Sequence, residues 1–179
     1  MHRSLGRSVQ PDLAACPAFS FPNLELLNLI HARQLTDASA VHLQKLPKLK
    51  SILINGPKIT AAWLEPTSVL PLESLNIAQG AVTPPGDAIA TIKSIPTLRR
   101  LSINGPSLTN ADLAALAGAT QLADGSISGL GMTDARVPAL RGFSHLKKMQ
   151  IIDWNAVADP DTEAKVRALL PTVEIKFVH

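Results

Sequence analysis

Apolar positions along this chain fall into a recurring line whose first, fourth and sixth residues are aliphatic. Leu98, Leu101 and Ile103 set the pattern, followed by Asn104-Gly105-Pro106 and the pair Leu108-Thr109. Leu49, Ile52 and Ile54, then Asn55-Gly56-Pro57 and Ile59-Thr60, give the same line earlier. Leu72, Leu75 and Ile77 lead to Val82-Thr83, and Leu122, Gly125 and Ile127 lead to Met132-Thr133. Looser copies start at Leu24 (Leu27, Leu29, then Leu35-Thr36) and at Leu146 (Met149, Ile151, then Val157). Each line predicts a short strand. Strand alternation sends its first, fourth and sixth positions into the core and its third, fifth and seventh outward. The Asn-Gly-Pro runs end the strand, because Gly permits positive φ and Pro cannot continue a ladder.

A helix is predicted after each turn. The Thr of the apolar-Thr pair is a natural N-cap, its hydroxyl accepting an orphan backbone N–H. Asp37 and Asp134 place negative charge in the first turn, where the helix dipole favours it, and Thr83-Pro84-Pro85 puts Pro there. Val41, Leu43 and Leu46, Leu64, Ile89, Ile92 and Ile95, Leu113 and Leu116, and Val137 and Leu140 fall three and four apart, one sealing face per helix. Pro47, Pro71 and Pro96 stop three of these helices before the next strand.

Six phased copies of L-x-x-L-x-L resemble the leucine-rich repeat, and self-similarity at a period of about 20–29 residues is diagnostic of architecture. The units are residues 24–48, 49–71, 72–97, 98–121, 122–145 and 146–172. The resemblance implies an α/β solenoid: a right-handed β-α superhelix with a curved parallel sheet on its concave face and short helices on its convex face. The triplets Thr36-Asp37-Ala38 and Thr133-Asp134-Ala135 are similar to the bacterial and F-box-type (cysteine-containing-like) subfamily. That subfamily often carries Asn, Cys or Thr at the ninth position. Here Pro57, Gly80, Pro106 and Leu130 stand there, so no polar ladder is expected.

The ends read differently. Residues 1–23 are a tail and an N-terminal cap, with a short helix over Pro11–Cys16 and Phe19 and Phe21 plugging the first turn; a docking arm is the rival reading. The last unit carries a helix over 159–170, with Glu163 and Arg167 spaced to pair. Residues 173–179 read as a capping edge strand, and Trp154 as closing the core beside it.

Composition sharpens the picture at three points. Hydrophobic residues make up 46% of the chain but aromatics only 3%, so the core must be stacked aliphatic side chains. The formal charge of +3 is too mild to indicate nucleic acid. Cys16 is the single cysteine, which excludes a bridge within the chain and fits a reducing, cytoplasmic setting. Delivery by a bacterial secretion system without an ordinary signal peptide is the alternative, since the N-terminus has no apolar h-region. No apolar run approaches about 18 residues, so no membrane partner is expected, and the chain is expected to be a monomer.

The strand register lists the outward surface. Leu26, Ile30 and Leu53 form an apolar patch near the N-terminal end. Asn28, Asn55, Asn76, Ser102, Asn104, Ser126 and Gln150 make the remainder polar, and Arg100 and Lys148 make the far end basic. Solenoids use such surfaces to bind partners. These twelve residues are therefore the candidate partner-binding set. Glu25, Lys50, Glu73 and Arg99 alternate in sign at second positions and suggest a cross-strand charge ladder. Trp63 sits at a helix-side position where sister units carry Asp112 and Arg136, facing solvent or lying flat over Leu64 and Leu70.

Chemistry is sparse. His31, His42 and His145 lie in different units without partners at metal-ligand spacing. The Asn-Gly-Pro turns lack a phosphate-loop pattern, and no base is marked beside the outward serines. No catalytic residue, cofactor or metal is expected. The reading is a non-catalytic module that binds a protein partner on its concave face. By resemblance, the alternative is a substrate-recognition domain of a larger enzyme or bacterial effector of the ubiquitin-ligase type. A weaker reading has Arg99, Arg100, Lys147 and Lys148 hold an anionic ligand.

Overall fold

The computed structural model of the chain describes residues 21–30, 32, 35–55, 59–78, 82, 85–153 and 159–178. The predicted cap before Phe21, together with Cys16, His31 and Trp154, lies outside them.

Seven strands of five residues form one parallel sheet in strict chain order: β1 Leu26–Ile30, β2 Ser51–Asn55, β3 Ser74–Ala78, β4 Arg100–Asn104, β5 Asp124–Ser128, β6 Lys148–Ile152 and β7 Glu174–Val178. Sister positions of the sequence line sit beside one another. Leu27 pairs with Ile52, Ile52 with Leu75, Leu75 with Leu101 and Gly125 with Met149. The phase of the apolar line and the register of the ladder are thus the same fact. A slip of one residue would turn every aliphatic side chain to water. The strand of 173–179 is β7, pairing with β6 in that same register.

Helices connect successive strands and share one core with the sheet's inward face. Among the described residues, α1 (Ala88–Ser94), α2 (Asn110–Leu116) and α3 (Pro160–Leu169) are the α-helices; Asp37–Lys45, Ala61–Trp63, Glu65–Val69, Val137–His145 and Pro85–Asp87 are 3₁₀ turns. Apolar spacing fits two of the 3₁₀ pieces but does not separate the types, since buried Ile89, Ile92 and Ile95 of α1 and its C-cap also recur by three. Ala40, Leu43 and Leu46, or Val137, Leu140 and Phe143, recur every three residues and are all buried, which matches the three-residue turn of a 3₁₀ helix. In α3 the buried series is Thr162, Val166 and Leu170, spaced by four. Val41, expected in the core, is 55% exposed, and its neighbour Ala40 takes the inward place.

The predicted caps are formed in two units. The Thr60 hydroxyl accepts from Ala62 N at 3.2 Å, and Thr109 makes a capping box with Asp112. Thr36 has no such bond. Instead, Asp37 beside it reaches the next unit and accepts from Thr60 N at 2.9 Å and Thr60 Oγ1 at 2.8 Å. Asp134 does the same one end further on, accepting from Thr162 Oγ1 at 2.8 Å and from Lys165. These carboxylates tie unit to unit.

Trp63 is buried to 1% exposure, so of its two expected placements the solvent-facing one does not occur. Its indole N–H donates to Ser39 Oγ at 2.8 Å, and Ser39 donates to Thr36 O at 2.7 Å, so the ring enters the core with its polar atom satisfied. Pro66, two residues after Leu64, breaks the helix into two short 3₁₀ pieces and leaves room for it.

A candidate recognition surface

One face of the sheet is sealed by the helices and the other is open. Outward residues of β2 and β3 are half-buried by their neighbours, while inward Ile52, Ile54, Leu75 and Ile77 are buried. The open face encloses a groove of about 490 Å³ running across β3 to β7. Its walls are the third and fifth positions of successive strands: Ser74, Arg100, Asp124, Lys148 and Glu174 in one row, Asn76, Ser102, Ser126, Gln150 and Lys176 in the other. The floor is open because the middle of the second row is short, with Ser102 and Ser126 between longer side chains.

Of the twelve candidate residues, Asn76, Arg100, Ser102, Ser126, Lys148 and Gln150 line this groove. The other six lie on the same face outside it. Leu26 and Ile30 are exposed on β1, 60% and 45% respectively, with Asn28 between them. Asn28 is turned to its own strand, its Oδ1 accepting from Ile30 N at 3.2 Å. Leu53 and Asn55 on β2, and Asn104 at the end of β4, are half-buried.

Ser74 and Asp124, outward third positions of the same register, also line the wall although they stood outside the candidate set, and the sequence reading missed Glu174 and Lys176. The signal was present: residues 173–179 continue the outward alternation, so Glu174 and Lys176 extend the third and fifth columns. Treating that strand only as an end piece hid this. Electrostatically the third row alternates along four strands, Arg100, Asp124, Lys148 and Glu174, and Lys148 pairs with Glu174 at 3.3 Å.

The second-position ladder forms at one end only. Lys50 pairs with Glu25 at 3.3 Å. Arg99 turns away from the ladder and donates to three carbonyls, Pro96 O, Leu98 O and Gln121 O, at 3.0–3.2 Å. Two of the four basic residues weighed for an anion are thus engaged elsewhere, Arg99 with carbonyls and Lys148 with Glu174.

Among the described residues, no three His, Cys, Asp or Glu side chains are grouped to hold a metal ion. His145 Nδ1 lies 3.0 Å from Gly142 O. Among the described residues, no helix is long and apolar enough to cross a membrane. No protein-family model matches the chain, and no curated protein shows significant similarity to it.

Proposed function

We propose that this chain is a leucine-rich-repeat solenoid that holds a protein partner on its concave face and carries out no chemistry of its own. The observation that supports this most is the uncovered face of the sheet, which forms a groove where strands of an ordinary α/β domain would be covered on both sides. Its wall offers hydroxyls, amides and charges of both signs at fixed spacing, set by strands about 4.8 Å apart. Rigid, closely spaced polar groups suit a folded or extended polypeptide, whose backbone and side chains supply matching donors and acceptors. Exposed Leu26 and Ile30, with Leu53 beside them, supply an apolar anchor at the N-terminal end.

The test compares proteins retained by the wild type with those retained by a Leu53→Arg/Asn76→Arg variant. Both changes are on the open face, so circular dichroism should show an intact fold. A partner held by the wild type and lost by the variant supports the open face as its site. A partner held equally by both moves the site to the helix side or the termini.

A further inference from the structure

Charge in the outward third row is confined to four strands. On β1, β2 and β3 that position holds Leu26, Ser51 and Ser74, whereas β4 to β7 carry Arg100, Asp124, Lys148 and Glu174 in alternating sign. The ladder sets these four directly beside one another, one strand spacing apart. Among the described residues the row makes one ion pair, Lys148 with Glu174, and both of its side chains are exposed. An exposed pair contributes little and exchanges partners at small cost. Arg100 and Asp124 make no ion pair among the described residues, so half of the row is free to meet charge from outside.

Such a row is its own complement. Read from β4 to β7 it runs positive, negative, positive, negative; read backwards every sign inverts. A two-fold axis along the strand direction, between β5 and β6, lays the open face of a second copy on the first with strands aligned and the row reversed. Aligned strands are one of the two ways in which sheets pack face to face. Arg100 then faces Glu174 of the second copy and Asp124 faces its Lys148, and each contact occurs twice. Fifth positions face fifth positions under the same axis. Ser102 meets Lys176 and Ser126 meets Gln150, so a short side chain lies opposite a long one and the short middle of the groove is filled. Charge spacing matches by identity, since both rows have the same strands beneath them. The other two-fold, across the strands, sets each strand opposite itself, where Arg100, Asp124 and Lys148 find no opposite charge. We propose that the β4–β7 part of the open face docks on the same part of a second copy as a two-fold dimer. This rests on the reading of the open face as a recognition surface and names one occupant of it. The overlap measures roughly 19 by 17 Å, well below the about 800 Å² that each partner buries in a standard interface. The dimer is therefore weak and salt-sensitive.

Sedimentation of the full chain at low salt tests this. The wild type should shift from monomer to dimer as protein concentration rises and return to monomer as salt is added. Asp124→Lys and Lys148→Asp each set like charges opposite one another twice, and each should weaken association about tenfold or more. Mixed in equal amounts the two variants should dimerise again, because each substituted side chain then faces the opposite sign and native Lys148 of one copy faces native Asp124 of the other. That rescue also shows that both variants are folded. Leu53→Arg, on β2 outside the overlap, should dimerise as the wild type does. A wild type that stays monomeric, single variants that associate as well as the wild type, or a mixture that stays monomeric overturns the proposal, as does a dimer lost in Leu53→Arg. None of these results touches the retention test above, whose changes lie on β2 and β3, so a different partner on the open face would stand or fall separately.

Discussion

At the scale of single residues, stability rests on a few polar groups that the aliphatic line does not announce. Asp153 stands where sister units carry Gly56, Gly105 and Gly129, and it is buried. Its carboxylate accepts from Gly131 N at 2.8 Å and Met132 N at 3.0 Å. It thereby holds the Gly129–Gly131 loop, whose two glycines both have positive φ (66° and 62°) that side-chain-bearing residues rarely adopt. Replacing Asp153 by Ala leaves the buried Met132 N–H and the part-buried Gly131 N–H without this acceptor, so the loss in chemical denaturation should be about 1–3 kcal/mol. A loss below about 1 kcal/mol would show that water reaches the loop. Asp134 acts differently, because it is exposed. Hydrogen bonds from Lys165 and then Thr162 hold its carboxyl below the ordinary carboxylate value, and the same contact raises Lys165. A lowered carboxylate contributes stability above its unfolded pKa and loses it as pH falls through the folded one; a raised lysine contributes below its unfolded pKa and loses it as pH rises through the folded one. Wild type and Lys165→Met should therefore differ in stability at neutral pH and begin to converge only as pH falls below about 4 or rises above about 10. A gap between them that persists at pH 2 would assign the effect to packing.

At the scale of elements, the two edges of the sheet are treated unequally. Glu174 N donates to Lys147 O and Asp153 N to Val178 O, so residues 174, 176 and 178 turn their backbone groups to β6. Ile175 and Phe177 must then turn theirs outward. Arg167 of α3 blocks that edge: its guanidinium donates to Ile175 O at 2.8 Å, lies 5.3 Å from the centroid of the Phe177 ring, and is steadied by Glu163 at 4.0 Å. The Glu163–Arg167 spacing was readable in the sequence, but its purpose was not, because the acceptor strand is eight residues away and its edge is visible only once β6 is paired. A charged guard on an exposed edge opposes strand addition. Arg167→Ala should therefore self-associate more than wild type in sedimentation velocity, with Arg167→Lys intermediate. If Arg167→Ala sediments as the wild type does, β7 is protected by something else. Helix type shows a second limit of the sequence. The apolar face was legible, yet spacing did not decide between α and 3₁₀; Pro66 and Pro138 fall six and five residues after Thr60 and Thr133, where an α-helix continuing from those caps would need an N–H.

For the whole molecule, the parallel sheet, its register and the outward columns were legible because one period governs all of them: a residue's place in its unit sets both its strand partner and its face. The groove was legible only in part. Columns follow from the period, but depth and charge pattern depend on how side chains from adjacent strands share space, and on Glu174 and Lys176 from a strand without a full sequence line. That pattern gives the molecule a definite electrostatic character. The net charge of +3 would suit a polyanion weakly, and along the groove Asp124 and Glu174 interrupt Arg100 and Lys148, so no continuous basic track forms. Asp124→Lys makes three adjacent cations across strands about 4.8 Å apart. This variant should elute from a heparin column at higher salt than wild type, because each additional neutralised anion steepens the salt dependence of binding. Glu65→Lys is the control: it changes net charge equally but lies exposed on the helix side, away from the groove. It should shift elution less. Equal shifts would mean that net charge alone governs retention and that the alternating row plays no part in what the open face accepts; a larger shift for Asp124→Lys would show that the row is presented to solvent and that its two carboxylates set which partners the groove excludes.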